Sequence, residues 1–250
     1  MLILLPPSEG KTAPVDGPPL DLAALSSPRL TAQRRRTLSA LIKASRRRDA
    51  VDVLGVGATL GEEVARNTAL RTAPTAEARR VYTGVLYAAA GLDTVTDPAA
   101  LDQVRTVSGL WGLVSPVDPI PAYRLSMGVD LPGVGPLASA WKPVLAAELD
   151  GRGELIVDCR SAAYLAAWKP ARAEQDLWVQ VRVLREVNGK RTVVSHHAKH
   201  TRGVLTRHLL TRTGAAPTDP ESLAKAAWEL VGTELIDVEL TGRTLSLVVA

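Results

Sequence analysis

Phenylalanine is absent from all 250 residues, so Leu, Val and Ala must do most of the packing; this skew and the abundant Arg match a codon-composition effect and say nothing about function. Cysteine occurs once, as Cys159, which excludes an intramolecular disulfide and leaves any cysteine-based zinc site in need of histidine or carboxylate help. The opening Met1-Leu-Ile-Leu-Leu-Pro-Pro has no basic region ahead of its apolar run, which is too short for a signal peptide or a membrane span. The expectation is a cytoplasmic protein in a reducing compartment, with no membrane partner. Acidic residues are missing from two whole stretches. Between Pro28 and Arg48 stand Arg29, Arg34, Arg35, Arg36, Lys43, Arg46, Arg47 and Arg48 without an Asp or Glu, and between Lys190 and Arg212 stand Lys190, Arg191, Lys199, Arg202, Arg207 and Arg212, again without one.

What is present is enough for a core. Apolar residues make up 46% of the chain, which argues against wholesale disorder, and the length suits one large domain or two small ones. Lys and Arg number 30 against 26 acidic residues. That net charge of +4 is modest, but two acid-free basic blocks are the footprint of a polyanion binder; they also suit solvated faces of surface helices.

The densest signal is Val107-Ser-Gly-Leu-Trp-Gly-Leu-Val-Ser-Pro-Val-Asp-Pro-Ile-Pro-Ala-Tyr-Arg-Leu-Ser-Met-Gly128. Gly109, Gly112, Pro116, Pro119 and Pro121 break regular structure, so a short strand feeding an ordered, proline-stiffened loop is expected, with Trp111, Tyr123 and Arg124 held in it. With four further patches this segment resembles the YaaA peroxide-stress family. The patches are Met1-Leu-Ile-Leu-Leu-Pro-Pro-Ser-Glu-Gly-Lys-Thr12, Val81-Tyr-Thr-Gly-Val85, Asp158-Cys-Arg-Ser-Ala-Ala-Tyr164 and Ser195-His-His-Ala-Lys-His-Thr-Arg-Gly203. They stand in the family's order over nearly the whole chain. The resemblance implies one α/β domain that binds DNA and lowers peroxide damage by restraining free intracellular iron.

Periodicity predicts a buried strand over 2–5, a basic helix over 31–48 and a second helix from 59 towards 70, joined by the Gly55-Val-Gly57 turn. A helix, a Gly-x-Gly turn and a helix make an αα-hairpin whose exposed N–H groups can meet a phosphate, as in helix-hairpin-helix modules, or simply pack on a sheet. Further on, 76–90 reads as helix interrupted at Tyr82-Thr-Gly84, 137–149 as an amphipathic helix, 153–159 as a buried strand and 161–168 as a helix. A strand over 177–186 should pair with 192–195 through the type I′ signal Asn188-Gly189, followed by a helix over 199–213, one from Pro220, and a hairpin over 236–249. The fold class is α/β (or α+β): a single domain with a mixed sheet flanked by helices.

Five separated segments carry candidate chemistry. Pro7-Ser-Glu-Gly-Lys-Thr12 resembles the tail of a phosphate loop, but Leu5 stands where the motif needs its first Gly; what survives is Ser8 and Lys11 at the carboxyl end of a strand. Tyr82 and Thr83, Tyr123 and Arg124, and Ser161 and Tyr164 sit at similar corners, the last two on the family's Ser and Tyr positions with Ala163 where an acid is expected. Lys199 and Arg202, near a helix N-terminus beside Ser195, suit a phosphate or carboxylate. His196 and His200 share a helical face, but no Glu completes a zincin pattern, so no metal and no other cofactor is expected. Two readings remain. In one, Arg34, Arg35, Arg36, Arg46, the Gly55–Gly57 turn and the basic cleft hold DNA through its phosphates. In the other, the converging pocket acts enzymatically on a small anionic ligand, phosphorylated or nucleobase-like.

Overall fold

The structure, a computed structural model, describes residues 1–194 and 196–250, and of His196 the backbone alone. Ser195, expected to end a strand, lies outside the described residues, as does the His196 side chain of the histidine pair. The main sheet has eight strands: β1 (Leu2–Leu5), β2 (Val104–Ser108), β3 (Gly112–Val114), β4 (Ile156–Asp158), β5 (Trp178–Val187), β6 (Lys190–Val193), β7 (Asp237–Thr241) and β8 (Thr244–Val249). Their order is β7-β8-β5-β4-β1-β2-β3, with β6 paired to the far half of β5. The five strands from β8 to β2 run parallel, whereas β3, β6 and β7 are antiparallel to their neighbours, so the sheet is mixed, as expected.

β1 is the hydrophobic axis. All four of its residues are buried, with parallel partners on both sides, which is why it reads as a continuous apolar run and not an alternating one. β5 alternates instead, burying Val179, Val181 and Val183 while Arg182 faces solvent. Its turn to β6 is the anticipated two-residue one, with Asn188 and Gly189 both at positive φ (52° and 73°).

The helices are α1 (Thr31–Ser45), α2 (Ala50–Val53), α3 (Gly61–Arg66), α4 (Ala78–Val81), α5 (Val85–Ala90), α6 (Pro98–Asp102), α7 (Leu137–Leu149), α8 (Ala162–Leu165), α9 (His196–Thr211) and α10 (Pro220–Trp228). The expected break at Tyr82-Thr83-Gly84 separates α4 from α5. α5 packs on α9 through Gly203, where a Cβ would lie 2.2 Å from the carbonyl oxygen of Leu86; this close approach admits no side chain. α7 buries Leu137, Trp141, Leu145 and Leu149, one residue per turn, and anchors the β2–β3 turn by a hydrogen bond from Trp141 Nε1 to the carbonyl of Gly109 (2.8 Å).

Two features of the basic region differ from the sequence reading. First, Arg34 is not on the exposed face of α1: it is wholly buried, donating from Nε to the carbonyl of Trp111 (2.8 Å) and from Nη2 to that of Leu113 (2.7 Å). Both acceptors belong to the β2–β3 hairpin, so Arg34 ties α1 to the sheet edge. Thr37, Leu38 and Leu41 share its side of the helix; a charge triplet in sequence cannot reveal which of three guanidinium groups turns inward. Second, the first of the two helices expected across 31–70 is shorter and a further turn intervenes. α1 ends at Ser45 and α2 is one turn long, whereas beyond Gly55 (φ 61°) and Gly57 a 3-10 turn, the six-residue α3 and a second 3-10 turn (Asn67–Ala69) make the expected second helical run. Glu62 and Glu63 occupy the first turn of α3, placing carboxylates where a phosphate would have to approach.

Replacing Arg34 with Leu should destabilise the protein by about 3 kcal/mol, because two buried carbonyls lose charged donors, whereas Arg35→Leu on the exposed side should stay within about 0.5 kcal/mol. Urea unfolding of the two variants against the parent checks this; equal losses would show that Arg34 is not a structural tie.

Candidate functional site at the carboxyl edge of the central strands

Chain connections leave β1 towards β2 on one side and return to β4 on its other side. In open α/β sheets such a reversal opens a crevice at the carboxyl ends of the strands, where ligands bind. The segment Ser8–Lys11 follows β1 at that point. Ser8 is buried; its Oγ accepts from the backbone N–H of Gly84 (2.7 Å) and donates to the carbonyl of Gly10. A Cβ on Gly84 would sit 2.3 Å from that Oγ, so the contact requires glycine. Lys11 forms a bridge to Tyr82, and Thr12 N–H bonds to the carbonyl of Val81 (3.0 Å), so the loop is fastened along the α4–α5 corner. Thr83, expected at the site, is exposed; its N–H donates to the carbonyl of Gly10 in the loop (3.5 Å) and its Oγ1 accepts from Thr12 Oγ1 (3.2 Å).

Beneath the loop lies a network of phenols. Ser108 Oγ, at the end of β2, accepts from the N–H groups of Leu110 and Trp111 (3.1 Å each), so its proton goes to Tyr123 Oη (2.6 Å). Tyr123 in turn donates to Tyr82 Oη (2.9 Å). Tyr87 donates to the carbonyl of Pro6 (2.8 Å) and lies 2.8 Å from Thr106 Oγ1. Burial pushes all three phenols above their ordinary range, so they remain neutral.

The Lys11 ammonium group sits over this network, 4.5 Å from the ring centre of Tyr123 and 5.6 Å from that of Tyr82, and donates to the carbonyl of Ser8 (2.5 Å). Burial, helped by the charge of Arg124, brings its pKa down from 10.5 to about 7, against the opposing pull of Glu63 and Glu9. Arg124 donates to the carbonyl of Glu9 (3.2 Å) and approaches Glu63 Oε2 (3.4 Å). Lys199, on α9, reaches Glu9 Oε1 (3.3 Å) and lines a cleft of about 200 Å³ with Pro6, Ser8, Gly84 and Tyr87. Lys11 and Arg124 are not among the residues that line it.

At the neighbouring strand end, Asp158 and Arg160 have fully buried side chains joined by two bonds, Nε to Oδ1 (2.8 Å) and Nη2 to Oδ2 (2.6 Å). Arg160 also donates to the carbonyls of Tyr164 (3.1 Å) and Trp168 (2.9 Å), holding α8 against the strand. Tyr164 is thereby placed near Ser126, Glu9 and Arg124, and burial raises its phenol pKa. Cys159 between them is core; burial raises its thiol to about 12.

The structure therefore gathers Ser8, Lys11, Tyr82, Tyr123, Arg124, Tyr164 and Lys199 around one loop. It separates others from them. Ser161 is exposed at the head of α8 and makes no capping bond from its side chain. Arg202 turns beneath the sheet edge, donating to the carbonyl of Val181 (2.9 Å), with its Nε buried without a partner. Arg35, Arg36 and Arg46 lie on the exposed side of α1, apart from the loop, and Gly55 and Gly57 in their own turn. Glu9, Glu63 and Asn67 escaped the sequence reading. Asn67 is buried and clamps the backbone of Arg124 from both sides of its amide (2.8 and 2.9 Å). Glu9 was legible inside Ser8–Lys11; Asn67 carries no signal in sequence.

A family model described as "Peroxide stress protein YaaA" matches residues 1–230. The chain belongs to that family. A UPF0246 protein of Streptomyces coelicolor is 46% identical over 237 residues, covering 92% of this chain and 90% of the relative. Another, from Corynebacterium efficiens, is 44% identical over 226 residues, covering 88% and 89%. Membership supports a role in peroxide stress. Among the described residues no helix is long and apolar enough to cross a membrane.

A depressed lysine makes stability depend on pH. Between pH 7 and 10.5 the unfolded chain holds a proton on Lys11 that the folded chain has released, so its contribution to stability rises with pH across that window and is lowest below pH 7. Urea unfolding at several pH values should show the parent gaining on Lys11→Met from pH 7 towards pH 10; parallel curves would mean that Lys11 titrates normally.

Proposed function

We propose that the protein acts in peroxide stress by binding DNA through the exposed side of α1 and the residues beside it. The observation that carries this reading is unspent positive charge. Arg35, Arg36, Lys43, Arg46 and Arg48 are exposed and, among the described residues, none has a carboxylate within ion-pairing distance; Arg36 meets only the carbonyl of Gly133 (3.2 Å), and neighbouring Arg71 only Ser39 (2.8 Å). Of this block only Arg47 is neutralised locally, by Asp49 (2.7 Å). The second acid-free block is mixed: among the described residues Lys190, Arg202 and Arg207 have no carboxylate partner, but others do. Arg191 is surrounded by Glu186, Asp237 and Glu239, and Arg212 is paired with Glu229 (2.5 Å), all brought from elsewhere in the chain or from the adjoining strand. Phosphate binding by the α1 face releases cations condensed on the duplex. Ferrous iron held there would be among them, which links DNA binding to control of the iron that turns peroxide into a DNA-damaging oxidant.

A second reading, favoured by Lys11, is that the Ser8–Lys11 loop binds a small anionic ligand and acts on it. An amine titrating near neutrality beside Arg124 is a reactive group, not only a source of charge.

Charge reversal at Arg35, Arg36, Lys43 and Arg46 together should abolish most duplex affinity without unfolding the protein. Each lost phosphate contact should flatten the dependence of log affinity on log salt by roughly one unit. Gel shifts at matched salt measure this, and duplex binding as tight as the parent's would refute the α1 face.

A further inference from the structure

We propose that Lys11 is a nucleophile that forms an imine with an aldehyde carried next to a phosphate group. The inference rests on the second reading above and gives its site a substrate class.

Geometry carries the argument. The buried faces of Tyr82 and Tyr123 close the inner side of the Lys11 amine, and the Ser8 carbonyl takes one of its N–H bonds, so its free direction is towards the exposed side of the loop, where Glu9 stands. A lysine is activated for carbonyl chemistry by desolvation and by a second cation nearby, and both conditions meet here: burial is the larger cause of its lowered pKa and Arg124 the next. The charged and titratable groups facing it are Arg124, Glu63, Glu9, Tyr82 and Tyr123; the two phenols are neutral and the two carboxylates only partly offset the loss. Arg124, beside Lys11, rests on the Glu9 carbonyl and can exchange that contact for a phosphate. Glu9, one of the two carboxylates whose charge acts on Lys11, is exposed and can pass protons to and from solvent.

The step balances without an oxidant or reductant. The Lys11 lone pair attacks the carbonyl carbon and forms the C–N bond while the C=O π bond breaks. The nitrogen proton passes to the oxygen through Glu9, a second proton taken up from solvent protonates the resulting hydroxyl, and water leaves as the nitrogen lone pair forms the C=N bond of the iminium ion. The reverse sequence releases the aldehyde. An aldehyde flanked by phosphate occurs in two sources, the opened sugar of an abasic site in DNA and a free phosphorylated aldehyde.

Borohydride reduction of the iminium in the intact protein distinguishes them. One arm uses a duplex oligonucleotide with a single abasic site, the other glyceraldehyde 3-phosphate, and both are followed by mass spectrometry of the digested protein. A reduced adduct on Lys11 in either arm supports the proposal and identifies the source. Its yield should be half-maximal near pH 7, fall by about tenfold or more in Lys11→Arg, and be unchanged in Lys225→Ala on α10. Adducts spread over other lysines of the parent protein, or no adduct at all, overturn it, and this readout needs no variant to fold. Glycerol 3-phosphate, which lacks the aldehyde, separates the two failures: a rise in melting temperature with no adduct removes the nucleophile but keeps the anion site, and no rise with no adduct removes both.

Discussion

Asp158 and Arg160 have left water entirely and satisfy each other at the carboxyl edge of the sheet. Isolating two such charges costs several kcal/mol, recovered only when nearly every donor and acceptor is matched. Here the matching is done by structure that the pair then holds in place: the carbonyls of Tyr164 and Trp168, and the indole N–H of Trp178 on Asp158 Oδ2 (2.9 Å). Through these bonds one ion pair fixes the strand end, the short helix after it and the start of β5. The position of Tyr164 beside the Ser8–Lys11 loop is a consequence.

The arginines of this chain divide into three physical roles. Arg34 and Arg160 are internal ties whose guanidinium forks take carbonyls from separate elements, work suited to a planar, permanently charged donor set. Arg191 and Arg212 gather carboxylates on the surface and cancel their own charge. Arg35, Arg36, Arg46 and Arg48 do neither. A net charge of +4 thus conceals cations in quite different settings, some buried, some quenched and some exposed without a carboxylate.

These roles explain how much of the molecule could be read from sequence. The strands were legible because their burial is local and periodic: Leu2–Leu5 as an apolar run, β5 by alternation, its hairpin by Asn188-Gly189. The site loop was legible in part, since Ser8, Lys11 and Arg124 sit where proline and glycine interrupt regular structure next to strand ends. What could not be read depends on distant partners. The inward turn of Arg34 is decided by two carbonyls roughly eighty positions away, and the quenching of Arg191 by acids of β7. The helical run over 58–69 was legible, but the end of α1 at Ser45 and the one-turn α2 were not, because glycines license a turn without specifying the length of the helices on either side.

The four tyrosines of the chain are Tyr82, Tyr87, Tyr123 and Tyr164, and all four surround the Ser8–Lys11 loop. With phenylalanine absent, no other six-membered ring without an indole exists in the molecule. The protein therefore carries a magnetic reporter at this one place. A tyrosine isotope label observes the loop and its hydrogen-bonded floor with no tyrosine signal from the remaining fold.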